Sequence, residues 1–355
     1  MSGPHSPGEV IQGRYRIIDA VGEGGMQYVY AAKDRVLKRK VALKTPKNDS
    51  AKKRFKRSAI VSARVNHPNV AKTLDYFEDN HRQYLIEEFI EGEDLDKAFL
   101  KKTKCLDPYL AARVFHYLVK GLAASHHVGV IHRDLKPTNI MVTEGFRLAS
   151  IKITDFGIAK MADEEIADAV EGGDTSISSS STVVGALPYM APEAIDTPRQ
   201  VSKPADIWSI GAMLFELLNG EKPYGSGLKA VAKIQKAKPP EFRPFLTSKP
   251  QFAPLADKLI RLVLQCLQKD PSSRPSADAL VSQCGDLCYP IESRVFGTVK
   301  EILYNAWGFI NVAGEDVFFH VDCVYGDQPT VGDRVMLCKF QGGGAWRAHP
   351  VVKLN

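Results

Sequence analysis

The spacing of apolar residues in the first ninety positions predicts a β-rich unit that contains one helix. Between residues 15 and 44, apolar positions alternate in short runs interrupted by glycine, which is typical of antiparallel strands. In "SAKKRFKRSAIVSARV", Phe55, Ala59 and Ala63 recur at four-residue spacing, which indicates a helix ended by the His67–Pro68 pair. The stretch "RQYLIEEFIEG" then returns to a strand pattern.

The next two hundred residues are mostly helical in pattern. Asp107 precedes Pro108 as a helix N-cap, and the apolar stripe of the helix follows as Ala111, Val114, Leu118 and Leu122. The segment "DIWSIGAMLFELLNG" is strongly apolar and ends in glycine, but it is short for a membrane span, so we expect a buried helix. Residues 162–182 are acidic and then rich in glycine and serine, which predicts a long mobile loop.

Beyond residue 294 the pattern changes to short alternating strands separated by glycine. The segments "FGTVKEIL", "WGFINVAG", "DVFFHVDCV" and "DRVMLCKF" predict a small all-β unit of about 60 residues. Residues 1–13 are rich in glycine, proline and serine and are expected to form a loose tail.

Composition adds few constraints. The chain has 355 residues, 44% of them hydrophobic, with no apolar run near 20 residues and no N-terminal signal pattern, so the default expectation is a soluble cytoplasmic protein. Six cysteines without a CxxC pair favour reduced thiols. Residues 33–57 hold twelve Lys or Arg against two Asp. This block either attracts acidic partners or nucleic acid, or is an ordinary solvated surface.

Four segments carry residues suited to phosphate chemistry. "IHRDLKPTNIMV", residues 131–142, sets His, Arg, Asp, Lys and Asn within eight positions. Upstream lie the glycine-rich hairpin "VGEGGMQYV" and then "VALK", whose Lys44 sits on an apolar strand, a costly position unless the lysine meets an anion. "TDFG" follows sixteen residues after Asn139.

Together these segments resemble the bacterial eukaryotic-like (Hanks-type) Ser/Thr protein kinases over about residues 14–285. The resemblance continues in "GALPYMAPE", "DIWSIG" and "DPSSRP". It implies an α+β bilobal fold with a β-rich N-lobe and a helical C-lobe. It also implies transfer of phosphate from ATP to Ser or Thr with Mg²⁺, or with Mn²⁺ in its place.

The resemblance assigns roles to single residues. Asp134 orients the substrate hydroxyl, Lys136 meets the transferring phosphate, and Lys44 grips the α- and β-phosphates. Asn139 and Asp155 are the implied metal ligands, since Mg²⁺ prefers oxygen donors. The implied nucleotide-binding positions are Val21, Gly22, Glu23, Gly24, Gly25, Val29, Ala42, Lys44, Glu88, Asn139 and Asp155.

This sequence departs from the family pattern at three positions. Gln27 replaces the third glycine of the nucleotide loop, Ala186 replaces a threonine that contacts the catalytic aspartate and lysine, and Ser58 stands where the glutamate partner of Lys44 is expected. Glu87 occupies the usual apolar gatekeeper position, so we expect it to replace the missing partner. The alternative is a one-residue strand slip that turns Glu87 to solvent.

The acidic and serine-rich segment offers hydroxyls for phosphorylation. Phosphates there could order the segment by meeting Arg133 or the basic helix. A flexible linker that happens to be rich in serine is the alternative. The candidate phosphosites are Thr175, Ser176, Ser178, Ser179, Ser180, Ser181 and Thr182.

The C-terminal unit resembles a cold-shock domain, a five-stranded OB-type barrel, through "GTVK" and "NAWGFINVAGEDVFFHVDCV". Trp307, Phe309, Phe318 and His320 can share one face and stack unpaired bases of RNA or single-stranded DNA. Two usual aromatics are absent from the pattern, and residues 293–355 hold six basic and six acidic residues, so the positive field typical of such domains is lacking. A barrel that contacts proteins or docks on the kinase is the alternative.

We therefore expect a tail at 1–13, a kinase domain at 14–286 with lobes at about 14–91 and 92–286, a linker at 287–293 and the barrel at 294–355. The predicted function is an ATP- and Mg²⁺-dependent Ser/Thr protein kinase that phosphorylates its own activation loop. The rival is a weakly active or inactive scaffold that binds nucleotide and displays the barrel to RNA or protein.

Overall fold

A computed structural model describes residues 3–23, 27–47, 49–156 and 185–355, without the side chains of residues 23, 49–54 and 199. The N-terminal lobe is an antiparallel sheet of order β1-β2-β3-β4-β6-β5. Its strands are β1 (Val10–Ile11), β2 (Tyr15–Glu23), β3 (Gln27–Asp34), β4 (Lys40–Pro46), β5 (Thr73–Asp79) and β6 (Arg82–Glu88).

One helix, α1 (Asp49–Ser62), packs on this sheet. Phe55 and Ala59 are buried against Leu85 of β6, as their four-residue spacing predicted, whereas Ala63 is exposed and lies just beyond the end of α1. The opposite face of the sheet has its own core, in which Tyr15, Tyr30 and Leu43 are almost fully buried. Apolar side chains of the strands are thus buried on both faces of this sheet.

The C-terminal lobe is helical. Its helices are α2 (Pro108–His127), α3 (Pro192–Asp196), α4 (Lys203–Asn219), α5 (Lys229–Lys236), α6 (Ala253–Cys266) and α7 (Ala277–Gly285), and its small sheet has the order β7 (Glu93–Asp94), β8 (Ile140–Thr143), β9 (Ser150–Ile153). Asp107 caps α2 by accepting hydrogen bonds from the backbone amides of Tyr109 and Leu110, as predicted. Helix α4 is buried along almost its whole length. A Cβ on its Gly211 would lie 2.4 Å from Cys266 Cβ, so only glycine allows α4 and α6 this approach.

An ion pair between Glu193 and Arg274 lies in this lobe. The Arg274 guanidinium donates to both carboxylate oxygens of Glu193, at 2.6 and 2.8 Å, and its side chain is fully buried. This bidentate pair ties α3 to the segment that precedes α7.

The C-terminal unit is a closed barrel of five long strands. They are β10 (Val295–Leu303), β11 (Trp307–Val312), β12 (Glu315–His320), β14 (Arg334–Gln341) and β15 (Trp346–Lys353), and the pairing of β12 with β15 closes the ring. A two-residue strand, β13 (Val324–Tyr325), adds to β15. Val317 and Phe319 point into the core, whereas the intervening Phe318 points outward.

The barrel packs directly on the C-lobe. Tyr325, Met336 and Val352 of the barrel belong to the same buried apolar cluster as the C-lobe helices. The Tyr325 ring lies 5.0 Å from that of Phe252 in a T-shaped arrangement, and the His349 ring stacks on Phe252 at 5.2 Å. One side of the barrel is therefore continuous with the hydrophobic core of the C-lobe, while the barrel interior forms a core of its own.

Buried polar contacts fix the orientation of the barrel. An Arg294 guanidinium nitrogen lies 2.8 Å from Asp107 Oδ1, and both side chains are almost inaccessible to solvent. Lys249 Nζ donates to the backbone carbonyls of Val321 and Val324 at 2.7 and 2.6 Å. Asp107 is thus both the cap of α2 and the anchor of the barrel.

In the part of the chain that the structure describes, no helix combines the length and the apolar character needed to cross a membrane.

We expect Arg294→Met to lower the free energy of unfolding by about 3–5 kcal/mol, because Asp107 would remain as a buried, uncompensated charge. Urea unfolding of the full chain measures this loss. Lys104→Met is the matched control, since it removes an exposed pair with Asp327 and should cost no more than about 1 kcal/mol. Equal, small losses in the two variants would contradict a structural role for the buried pair.

Candidate active site

The N-terminal sheet brings Lys44 and Glu87 together. Ala42 of β4 pairs with Glu87 of β6, and Lys44 pairs with Leu85, so the two charged residues belong to adjacent strands. Lys44 Nζ lies 2.5 Å from Glu87 Oε2, and the residues are only 5% and 4% exposed. The register that would turn Glu87 to solvent is not the one that this sheet adopts.

Asp155, which is partly exposed, completes a cluster of three charges. Its Oδ1 lies 2.9 Å from Lys44 Nζ, and the Asp155 backbone has a positive φ of 62°. Asp155 follows β9, so the cluster joins the N-lobe sheet to the C-lobe. With one ammonium and two carboxylates, it has a net negative charge when all three groups are ionised.

The pKa values in this cluster depend on burial and on the neighbouring charges. Burial opposes the charged form of Lys44, but the carboxylates of Asp155 and Glu87 outweigh it and raise the lysine pKa above its ordinary value. Burial also disfavours ionised Asp155, yet Lys44 and a hydrogen bond from Gln27 lower the pKa of Asp155. For Glu87 burial is the largest effect and raises the pKa, with Lys44 opposing it. Lys44 and Asp155 are therefore charged at neutral pH.

The catalytic loop between α2 and β8 is held by Asp206 of α4. The two Asp206 carboxylate oxygens accept hydrogen bonds from the backbone amides of His132 and Arg133, at 2.9 and 2.8 Å. His132 Nε2 lies 2.8 Å from the carbonyl oxygen of Thr154, which connects the loop to the segment before Asp155. His132 is fully buried.

Within the loop, three of the predicted catalytic and metal-binding side chains contact one another. Asp134 Oδ2 accepts a hydrogen bond from Asn139 Nδ2 at 2.9 Å and forms an ion pair with Lys136 Nζ, also at 2.9 Å. Asn139 Nδ2 also donates to the carbonyl oxygen of Asp134 at 2.8 Å. Because the amide nitrogen is used in this way, the amide oxygen of Asn139 is the atom suited to a metal ion.

The donor atoms fit a hard divalent cation. Asp155 supplies carboxylate oxygens and Asn139 an amide oxygen, which are ligand types that Mg²⁺ prefers. When Glu87 is ionised, the net negative charge of Lys44, Glu87 and Asp155 also favours a cation close by. A buried amide oxygen of Gln27, in the nucleotide loop, has no hydrogen-bond partner among the described residues.

The position of the missing glutamate on α1 has a different contact. Ser58 is buried, and its hydroxyl donates to the carbonyl oxygen of Phe156 at 2.6 Å. Helix α1 therefore contacts the segment after Asp155 through a neutral hydrogen bond, while Lys44 takes its ionic partners from β6 and from Asp155.

The remaining predicted nucleotide-binding residues lie around this cluster to different degrees. Val29 pairs with Lys44 across β3 and β4, and Ala42 is buried beside Glu87. Val21 is 48% exposed at the end of β2, next to Gly22. The Glu88 carboxylate turns away from the cluster and lies 3.0 Å from Lys152 Nζ.

Some predicted residues are beyond what the structure describes. The backbone of Glu23 is placed at the end of β2, but its side chain is not described. Gly24 and Gly25 lie outside the described residues, as do all of the candidate phosphosites, Thr175, Ser176, Ser178, Ser179, Ser180, Ser181 and Thr182.

The barrel carries the predicted aromatic face. The rings of Trp307, Phe309 and Phe318 lie 5.9–6.0 Å from one another, and all three are partly exposed. His320 is opposite Trp307 in the strand register, and its Nδ1 lies 3.2 Å from a carboxylate oxygen of Asp322. In the part of the chain that the structure describes, the barrel contacts the C-lobe through residues other than these four.

The bilobal fold, with a charged cleft between a sheet lobe and a helical lobe, defines a nucleotide-dependent phosphotransferase domain. Residues 15–284 match the family model described as "Protein kinase domain", so the chain belongs to the protein kinase family. Residues 293–342 match a model described as "S1-like". This match agrees with the OB-type barrel expected from the sequence, although the resemblance noted there was to the cold-shock domain.

Characterised relatives are similar over the kinase domain. The chain is 32% identical to the serine/threonine-protein kinase PrkC of Bacillus subtilis over 274 residues, which are 75% of this chain and 39% of PrkC. It is 32% identical to the serine/threonine-protein kinase PknA of Mycobacterium tuberculosis over 291 residues, or 78% of this chain and 62% of PknA. The chain thus spans about two fifths of PrkC and less than two thirds of PknA.

Sequence reasoning did not find two of the contacts that shape this cleft. Gln27 was noted only as a departure from glycine, yet its amide nitrogen lies 2.8 Å from Asp155 Oδ1. Ser58 was noted only as a missing acid. The contact of Gln27 did have a signal in the sequence. Gln27 is a polar residue two positions before Val29, so both lie on the strand face that borders the cleft.

We expect Glu87→Met to lower kcat/KM for ATP by at least about tenfold, equivalent to about 1.4 kcal/mol, because Lys44 would lose its partner within the sheet. Steady-state kinetics of phosphate transfer measure the change. Ser58→Glu should recover part of the loss in the Glu87→Met background, since it restores the carboxylate to α1. A Glu87→Met enzyme with unchanged kinetics would show that Lys44 does not need this partner.

Proposed function

We propose that the chain is an ATP- and Mg²⁺-dependent serine/threonine protein kinase, and that Mn²⁺ can replace Mg²⁺. The observation that carries the proposal is a connected set of contacts. Asn139 is hydrogen-bonded to Asp134, Lys44 is paired with Asp155, and the hydroxyl of Thr154, the residue before Asp155, donates to the carbonyl oxygen of Asn139. Phosphoryl transfer needs charge neutralisation and in-line positioning rather than covalent participation by the protein. The names of the bacterial relatives support the same activity.

Each side chain has a definite task in this proposal. Asp134 receives or orients the proton of the acceptor hydroxyl, and its carboxylate is held by Asn139 and Lys136. Lys136 balances charge on the transferred phosphoryl group, and Lys44 binds the α- and β-phosphates. Mg²⁺, when bound through Asp155 and Asn139, supplies the charge neutralisation for the transfer.

We further propose that the acidic and serine-rich segment is an autophosphorylation region, as the sequence suggests. Arg133 lies next to the catalytic aspartate and is the cation suited to meet such a phosphate. Its guanidinium also donates to the carbonyl oxygen of Val201 at 3.2 Å, which anchors it near the segment that follows the activation loop.

A nucleotide-binding scaffold is the second candidate, and one observation favours it. Ala186 cannot supply the hydroxyl that kinases of this family place near the catalytic aspartate and lysine. The intact contacts of Asp134 weigh more, because a scaffold has no need to keep an aspartate paired with Lys136 and hydrogen-bonded to Asn139. Catalysis is therefore the favoured function.

For the barrel we propose binding of single-stranded nucleic acid. Trp307, Phe309 and Phe318 form a partly exposed aromatic cluster on the strands β11 and β12, and base stacking on such rings is independent of sequence. Lys300 and Lys339 lie on neighbouring strands, but each is paired with an acid, Asp316 or Glu315. Stacking rather than charge should therefore dominate the affinity.

We expect Asp134→Asn to reduce incorporation of labelled phosphate from ATP by about 10²–10⁴-fold, since the general base would be lost. Incorporation into the chain itself and into a generic protein substrate should fall together. Asp278→Asn is a suitable control, because Asp278 pairs with His127 on the exposed surface and touches none of the cleft residues. Labelling that is independent of Asp134 would leave the scaffold as the better description.

Phe318→Ala is expected to weaken binding of a single-stranded oligonucleotide by about 1–3 kcal/mol, through the loss of one stacking ring. Fluorescence anisotropy at several salt concentrations measures the affinity. Phe296→Ala is the matched control, because Phe296 belongs to the same barrel but contacts Phe146 of the C-lobe. Equal affinities for the two variants and the wild type would point to a protein-docking role for the barrel.

A further inference from the structure

Gln27 is the first residue of β3 and replaces a glycine of the nucleotide loop. It is 7% exposed, so its long side chain lies inside the cleft rather than in solvent. Strand residues two positions apart share a face, which puts Gln27 on the same side as Val29. Val29 in turn pairs with Lys44. The side chain of Gln27 therefore enters the cleft beside the lysine.

The amide of Gln27 reaches the opposite wall of the cleft. Its Nε2 donates to Asp155 Oδ1 at 2.8 Å, the same oxygen that lies 2.9 Å from Lys44 Nζ. The other oxygen, Oδ2, accepts a long hydrogen bond of 3.3 Å from the hydroxyl of Thr154. Two strong donors on one oxygen and a weak donor on the other fix the plane of the carboxylate and direct Oδ2 to further partners.

The amide oxygen of Gln27 has no hydrogen-bond partner among the described residues. This atom, Oε1, is buried. It is bonded to the carbon that carries Nε2, so it lies next to Asp155. Buried acceptors normally have a donor, and an exception calls for a specific explanation. Beside a metal-binding carboxylate, the hydrogens of metal-bound water are suitable donors, because Mg²⁺ keeps several of its waters in such sites.

We propose that Gln27 is a positioning residue of the metal site, which orients Asp155 through its amide N–H and accepts a hydrogen bond from metal-bound water through its amide oxygen. This inference rests on the proposed kinase function, because it concerns the metal that accompanies the nucleotide. It assigns a role to a position where the family resemblance implies only a flexible glycine.

Gln27→Met tests the assignment, since methionine keeps the length of the side chain but has neither the donor nor the acceptor. Gln83→Met is the matched control. Gln83 also has a buried amide oxygen without a hydrogen-bond partner among the described residues. In the strand register, however, Gln83 lies opposite Glu78, at the far end of β6. Both variants are made in the full chain, and binding of a non-hydrolysable ATP analogue is measured by calorimetry over a range of Mg²⁺ concentrations and in EDTA.

For Gln27→Met we expect the Mg²⁺ concentration for half-maximal binding to rise by about tenfold or more, the usual effect of removing a group that orients a metal ligand. Affinity for the analogue in EDTA should stay within about twofold, and Gln83→Met should match the wild type in both measurements. A general structural defect would weaken binding with and without metal alike, so it would overturn the assignment.

Two other results would also overturn it. An unchanged Mg²⁺ requirement in Gln27→Met would show that Asp155 does not need the amide, although the kinase function would stand. Tighter binding of the analogue by Gln27→Met or Gln27→Gly would show that the side chain obstructs the nucleotide instead of serving its metal. A wild-type chain that binds no analogue at any Mg²⁺ concentration would count against both the assignment and the proposed function.

Discussion

The cleft depends on one buried ammonium group between two carboxylates. Lys44 is almost fully removed from water, and such a position is tolerable only because Glu87 Oε2 and Asp155 Oδ1 lie within 2.5 and 2.9 Å of its nitrogen. A sheet core made only for stability would have no reason to bury these charges. Their presence where the two lobes meet is best explained by a charged ligand, for which the cluster is already arranged.

The source of the second carboxylate has a mechanical consequence. In the usual family arrangement the partner of the lysine belongs to a helix, so a shift of that helix can make or break the pair. Here Glu87 and Lys44 are on adjacent, hydrogen-bonded strands, and their distance is fixed by the sheet itself. Helix α1 contacts the cleft through Ser58 and the carbonyl oxygen of Phe156. The position of the Lys44 side chain therefore does not depend on the position of α1.

The barrel is similarly constrained by the lobe on which it sits. Arg294, the residue before β10, meets the carboxylate that caps α2, and Tyr325 enters the apolar cluster of the C-lobe. The C-terminus of α2 leads into the loop that carries Asp134. The barrel contacts the other end of this helix, its N-terminus. The aromatic cluster on β11 and β12 remains partly exposed, which leaves it accessible to a ligand while the barrel is docked.

Local patterns were sufficient for most of the elements and for the order of the motifs. Residues 10–11 are an exception, because they were expected in a loose tail but form β1, with Ile11 buried in the core of the N-lobe. The four-residue spacing around Phe55, the Asp107 cap and the alternation of Val317 and Phe319 depend on neighbours in sequence, and helix and strand geometry convert them directly into structure. The gatekeeper position of Glu87 could also be predicted, because strand period and alignment of a short segment place it in the cleft.

What only the tertiary structure decided are contacts between residues far apart in the chain. The hydrogen bond from Gln27 to Asp155 spans 128 residues, and the pair of Arg294 with Asp107 spans 187. The sequence around one residue of such a pair does not indicate its partner, because side-chain direction and the packing of the lobes set the distance between the two. The sequence determined which groups are available for chemistry, whereas three-dimensional packing determined which of them meet.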